Sequence, residues 1–159
     1  MNKYDLLLLD LDGTTINTDE LIVQAMFYFY DKYRDGQRKT REEIYYFSGP
    51  PINETFEKEF PEQDSGILKE EFMRITSNMY GKYATVYPYC REELEKFKND
   101  GIKLVVVTSK MHSSSEIAIK AVGLGDLLID IIAYDDVINP KPSGEGCLKA
   151  MELAGIKDW

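Results

Sequence analysis

The sequence predicts an α/β protein: a doubly wound (Rossmann-like) parallel sheet interrupted by an all-helical insert. Three observations predict it. Short runs at Tyr4–Asp10, Ile102–Thr108 and Leu127–Ala133 are apolar on both faces, as strands buried inside a parallel sheet are. Helical patterns follow the second and third runs, giving the strand–helix alternation of a wound sheet. Between Asn17 and Thr85 apolar residues recur at spacings of three and four, with no strand pattern. The predicted division is a core over 1–16 and 86–159 and a helical insert over 17–85.

The elements follow in order. Leu6 to Leu9 form a strand that stops at the acid Asp10. In the insert, Ile22, Ala25, Met26, Phe29, Tyr30 and Tyr33 lie on one helical stripe, which Thr18 is placed to cap. Thr40-Arg41-Glu42-Glu43 reads as a capping box before Ile44 and Phe47. Phe56 and Phe60 share a face, and Leu68, Phe72, Ile75, Met79 and Tyr83 form a third stripe. The aromatic run from Phe27 to Tyr30, with Tyr45, Tyr46 and Phe47, is expected to pack this insert. Beyond it, Arg91–Lys98 is a helix that Gly101 stops. Ser113-Ser114-Ser115-Glu116 predicts a capping box for a helix with Ile117, Ala121 and Val122 inward. Ser143 is placed to cap a last helix with Leu148 and Met151 inward.

Composition excludes several classes. With 19 Lys+Arg against 28 Asp+Glu the net charge is −9, unsuited to a general nucleic-acid or anionic-membrane surface. No apolar run approaches the roughly 20 residues of a membrane span. Only four leucines precede Asp10, too short and too acidic a start for a signal peptide. Cys90 and Cys147 match no metal or redox spacing. These features predict a cytoplasmic protein with reduced cysteines.

Ligands of open α/β sheets bind beyond the carboxyl ends of the strands. The first strand is followed there by Asp10-Leu11-Asp12-Gly13-Thr14, the second by Thr108-Ser109-Lys110, and the third by a loop carrying Lys141-Pro142. Two carboxylates, a hydroxyl and a lysine then converge, a set suited to phosphoryl transfer. Asp10 at the strand tip can attack phosphorus. Asp12, two residues on, can protonate the leaving oxygen and then deprotonate water. Gly13 permits the tight turn, Thr108 can donate to phosphoryl oxygens, and Lys141 supplies positive charge. A hard cation, Mg²⁺, is implied wherever two carboxylates must face a phosphate. Asp135 and Asp136 read as loop acids and His112 as a solvated loop residue.

Asp10-Leu11-Asp12-Gly13-Thr14, Thr108 and Lys141-Pro142 resemble the first three motifs of the haloacid dehalogenase superfamily of phosphohydrolases. The insert looks like that family's helical cap. The resemblance implies Asp10 as nucleophile, Asp12 as general acid/base, and Thr108, Ser109 and Lys141 as phosphate ligands. It implies Mg²⁺ held by the Asp10 carboxylate and the Asp12 main-chain carbonyl. In the cap, Phe47 to Phe56, with Gly49 and Pro50, looks like the substrate-specificity loop of the phosphoglycolate phosphatase and pyrophosphatase branch. The expected substrate is accordingly a small phosphorylated metabolite: phosphoglycolate, pyrophosphate or a sugar phosphate. The cap arginine of a sugar-phosphate mutase is absent, which sets that alternative back, while the cap lysines Lys39, Lys58, Lys69 and Lys82 keep a phosphonatase open. Tyr89-Cys90 stands where the family commonly has a glycine. The family's fourth motif, an acidic Gly-Asp segment after a further strand, is not found after Lys141. The expectation is therefore an incomplete core, truncated before that motif, with an open apolar edge at Leu6–Leu9 available for self-association. Its alternative is a catalytically inactive binding or scaffold protein. A signalling receiver domain is disfavoured by the long helical stretch between Asp10 and Thr108.

Overall fold

The computed structural model describes residues 4–48 and 50–157. The chain runs β1 (Leu6–Leu9), β2 (Ile16–Asn17), α1 (Asp19–Tyr33), α2 (Arg41–Tyr45), α3 (Ile52–Glu59), α4 (Ser65–Ser77) and α5 (Tyr80–Tyr83). It continues through β3 (Thr85–Val86), α6 (Cys90–Asn99), β4 (Lys103–Val107), α7 (His112–Ala121), β5 (Asp130–Ile132) and α8 (Glu145–Leu153).

β1, β4 and β5 form a parallel sheet in that order, with Leu6 beside Lys103 and Val107 beside Ile132. The central strand β4 is covered on both faces. Leu104 and Val106 point into a core with Leu11, Leu94, Ala118, Ile119, Leu124 and Leu127. Val105 and Val107 point the other way, against Ile132 and Ala150 of α8. Gly146 allows this second packing, because a Cβ there would stand 3.0 Å from the Val107 side chain. β1 differs. Among the described residues it pairs only with β4, and all four of its leucines are half-buried. The predicted open apolar edge is present among the described residues.

Helices α1 to α4 enclose a separate aromatic core, while Tyr80 and Tyr83 of α5 pack into the sheet-side core. The Phe29 ring lies 4.8 Å from Phe56, 6.2 Å from Phe60 and 6.3 Å from Phe72, centroid to centroid. These offset and tilted arrangements are those that aromatic quadrupoles favour. The chain enters and leaves this bundle through a two-residue antiparallel ribbon, Ile16 with Val86 and Asn17 with Thr85. The sequence pattern shows no strand here, since two residues cannot display an alternation.

Local chemistry explains several departures. Thr40 and Glu43 form the predicted capping box. Thr18 precedes α1 but its hydroxyl reaches Asp12 instead of the first turn, where Asn17 Oδ1 accepts from Asp19 N at 3.0 Å. Ser113 caps nothing: α7 starts at His112, and Ser115 is buried with its hydroxyl donating to the Met111 carbonyl at 3.0 Å. The inward face rotates accordingly to Ala118 and Ile119, and Ile117 and Ala121 face solvent. In α8, Gly146 and Ala150 face the sheet, and Leu148 is 59% exposed. Ser143 Oγ accepts from Glu145 N at 3.2 Å, but Ser143 lies one residue before the observed cap position, Gly144. The third strand is shorter than the apolar run, because Leu127 turns into the core before β5 begins. Tyr46 is 83% exposed and belongs to no core. Tyr89 adopts φ 64°, the left-handed conformation that favours glycine.

Candidate active site

At the carboxyl end of β1 the backbone turns sharply. Gly13 has φ 76°, its N–H donates to Ile16 O at 2.9 Å, and Thr15 N and Ile16 N both donate to Leu11 O. Thr15, buried, donates its hydroxyl to Asp10 O at 2.6 Å. With Leu11 buried as the anchor, the turn leaves the Asp10 and Asp12 side chains at a cavity of about 390 Å³ between the sheet's end and the helical bundle.

Each carboxylate already has a lysine. Lys141 Nζ lies 2.7 Å from Asp10 Oδ1, although 131 positions separate them in sequence. Lys110 Nζ lies 2.9 and 3.1 Å from the two Asp12 oxygens, and Thr18 Oγ1 donates to Asp12 Oδ1 at 2.9 Å. Lys110 also sits 5.3 Å from the Tyr80 ring centroid. Burial disfavours the Lys110 charge, but the Asp12 carboxylate and the Tyr80 oxygen outweigh it and hold the ammonium above its ordinary pKa. Burial likewise pushes the Tyr80 phenol up.

Thr108 directly follows β4, is buried, and accepts from Lys110 N at 3.1 Å, which turns Lys110 back toward Asp12. Ser109 also lines the cavity. The Lys141 loop is fastened from α8: the Glu145 carboxylate accepts from Ile138 N at 2.7 Å and from Asn139 N and Nδ2 at 2.9 Å. Those backbone and side-chain donors hold the Glu145 pKa below its ordinary value. From the helical bundle, Pro50 and Phe47 line the same cavity, and Gly49 lies outside the described residues.

Asp10, Asp12, Thr108, Ser109, Lys141 and Pro50 thus surround one space. Sequence reasoning gave no role to Lys110, Tyr80 or Glu145, and read Thr18 only as a helix cap. Lys110 stands in the Thr-Ser-Lys run, but spacing alone does not say which acid it meets. Glu145, three residues past Pro142, has no motif. His112 is the first residue of α7, with Nδ1 2.6 Å from Asp136 Oδ2. That hydrogen bond raises the His112 pKa and draws Asp136 into a structural turn.

The donor set bears on metal binding. Among the described residues no group of three or more His, Cys, Asp or Glu is arranged to hold a metal. The oxygens of Asp10 and Asp12 nonetheless fit a hard divalent cation, which keeps several waters and takes one or two carboxylates plus substrate oxygens.

Comparison with known proteins gives a consistent picture. Residues 7–158 match the family model of haloacid dehalogenase-like hydrolases. The chain is 33% identical over 156 residues to pyrophosphatase PpaX of Bacillus velezensis, covering 94% of this chain and 68% of that protein. Its fold is similar to that of a haloacid dehalogenase-like family hydrolase from Streptococcus pneumoniae, with a TM-score of 0.82 at 17% identity, covering 98% of this chain and 72% of the other. It is also similar to that of a predicted phosphoglycolate phosphatase from Haemophilus somnus, with a TM-score of 0.77 at 17% identity, covering 98% and 74%.

Proposed function

The chain belongs to the haloacid dehalogenase-like hydrolases that act on phosphate esters, and we propose that it hydrolyses a small phosphorylated metabolite through an aspartyl-phosphate on Asp10. The observation that carries this reading is the 2.7 Å contact between Lys141 and Asp10, beside Asp12 and Thr108 in one cavity. In this reading the nucleophile, the second acid and the phosphate-binding groups stand around a single point.

In the first half-reaction Asp10 attacks phosphorus, an Asp10 oxygen–phosphorus bond forms, and the ester oxygen leaves. Asp12 delivers its proton to that oxygen. In the second, Asp12 takes a proton from water as the water attacks phosphorus. The bond to Asp10 then breaks and phosphate departs. The Lys141 ammonium sits where negative charge grows on the transferring group. The Thr108 and Ser109 hydroxyls can donate to the other phosphoryl oxygens. Thr18 and Lys110 fix the Asp12 carboxylate, so its distance from the reacting oxygen is set before substrate arrives. Asp10 and the Asp12 main-chain carbonyl would hold Mg²⁺, which when bound offsets the repulsion between the acids and the phosphate.

Helices α1 to α5 act in this reading as the cap over the core site, with the Phe47–Phe56 segment choosing the leaving group. Closure over the cavity would exclude water from the first step. No helix of the described residues is long and apolar enough to cross a membrane. With Cys90 and Cys147 both free, we read the enzyme as cytoplasmic.

The test is phosphate release from para-nitrophenyl phosphate in Mg²⁺ buffer, with and without a chelator. The reading expects release that the chelator stops and that Asp10→Asn abolishes. Release by the Asp10→Asn chain at the unmodified rate would contradict it. No release by the folded unmodified chain, with phosphate esters still bound, would favour the inactive-binder alternative.

A further inference from the structure

We infer that His112 is a positioning residue for the proposed reaction: with Asp136 it staples the segment after β5 to the segment after β4, and so holds Lys110 against Asp12. The staple is firm when the imidazole is charged and slackens when it is neutral, so turnover carries a pH dependence set by this ring. This rests on the phosphatase reading above.

Two segments meet at the rim of the cavity. One follows β4 and carries Thr108, Ser109, Lys110 and Met111; the other follows β5 and carries Tyr134. All five residues line the cavity. Three contacts join the segments. Tyr134 N donates to Lys110 O at 2.9 Å. His112 N donates to Asp135 Oδ1 at 2.7 Å. His112 Nδ1 lies 2.6 Å from Asp136 Oδ2. That carboxylate is itself anchored, because Oδ2 also accepts from Ala133 N at 2.8 Å. The imidazole therefore grips a fixed acid two residues from Lys110, whose ammonium meets both Asp12 oxygens.

Three carboxylates face the ring against one ammonium. The turn Tyr134–Asp136 presents Asp135 and Asp136. Within α7, Glu116 Oε1 stands 3.8 Å from Nε2. From α8, Lys149 Nζ donates to Asp136 O at 2.5 Å. The Asp136 hydrogen bond, followed by the charges of Asp136, Glu116 and Asp135, raises the His112 pKa above its ordinary 6.5. A group raised in this way contributes fully below its unfolded pKa, and the contribution is lost as pH rises through the folded value. A neutral imidazole can still donate from Nδ1, but without the charge that strengthens the bond. The side chain is 34% exposed, so solvent screens the pair and the expected effects are moderate.

His112 is the single histidine of the chain, so its ring signals in NMR need no assignment. Titration should give a midpoint above 6.5 that Asp136→Asn lowers, and the Lys110 and Tyr134 amide signals should move with the same midpoint. Turnover of para-nitrophenyl phosphate in Mg²⁺ buffer is then followed from about pH 5.5 to 8.5, beside His112→Arg and His112→Gln. Arginine keeps a charged donor that does not titrate. The ratio of unmodified to His112→Arg kcat should be near one at the acid end and fall about threefold as pH passes the His112 midpoint, the size of a partly screened ion pair. His112→Gln should show the lowered kcat already at the acid end. KM should stay within about twofold throughout, because Lys110 orients the acid and does not hold the phosphate. A midpoint at or below 6.5, amide signals that ignore it, or a kcat ratio independent of pH overturns the inference and leaves the phosphatase reading standing. No turnover by the folded unmodified chain overturns both.

Discussion

The two sides of the cavity are organised in opposite ways. On the core side every charge is matched: Asp10 by Lys141, and Asp12 by Lys110 and Thr18. On the cap side the Lys69 ammonium has no ion pair among the described residues, and Ser48 Oγ and Asn53 Oδ1 are buried without a hydrogen-bond partner. The core is assembled before ligand arrives, as groups that must meet a transition state should be. The same contrast runs through the packing. The core buries aliphatic side chains on both faces of β4, while the cap buries a knot of phenylalanines around Phe29.

The sharpest way to break the contrast is to remove the proposed nucleophile from the matched side. Asp10→Asn should reduce phosphate release by at least about 10³-fold, since residues that act as a unit fail together. Circular dichroism should show an unchanged fold. Next in size is the cap's own core. Phe29→Ala should destabilise by about 3–5 kcal/mol in urea unfolding, the range for emptying a buried aromatic site. If the cap does not depend on its aromatic knot, the loss will be under 1 kcal/mol.

Acid should separate the regions further. Glu71 on α4 is partly buried, yet hydrogen bonds from Lys32, Tyr28 and Tyr33 lower its pKa from 4.5 to about 2. A depressed carboxylate contributes stability above its unfolded pKa and loses it as pH falls through the folded value. Unfolding midpoints should therefore show Glu71→Gln most destabilising above about pH 4.5, with the gap to the unmodified chain closing toward pH 2. A gap independent of pH would assign the effect to packing alone.

The smallest effects lie in the backbone. Thr40→Ala should cost about 1 kcal/mol, because it removes a formed capping box. Ser113→Ala should stay within about 0.5 kcal/mol, because Ser113 caps nothing. Tyr89→Gly should stabilise by up to about 1 kcal/mol, relieving a side chain held at positive φ.

The sequence made the strand ends and their residues legible, because a run apolar on both faces ending in Asp or Thr has few other uses. It also exposed the open edge, since Leu6–Leu9 had no fourth strand pattern to pair with. Helix faces were read less well. α7 starts at His112, two residues before the start predicted from a Ser113 cap, and its buried face carries Ser115, Ala118 and Ile119 where Ile117 and Ala121 were expected inward. Thr18 was legible as a polar residue before a helix, but nothing local says that its hydroxyl turns back to Asp12. Lys110 and Glu145 act through tertiary geometry that no spacing rule records. Lys69 is one of five lysines in the insert, and only the fold shows that it is the one that lines the cavity.

The central claim is that Asp10 becomes covalently phosphorylated. Rapid acid quenching during turnover of a phosphate-labelled monoester, followed by peptide mapping, tests it most directly. The account predicts label on the peptide containing Asp10, absent in Asp10→Asn and accumulating in Asp12→Asn, where the second half-reaction lacks its base. Turnover with no labelled peptide, or label on any other residue, would contradict it.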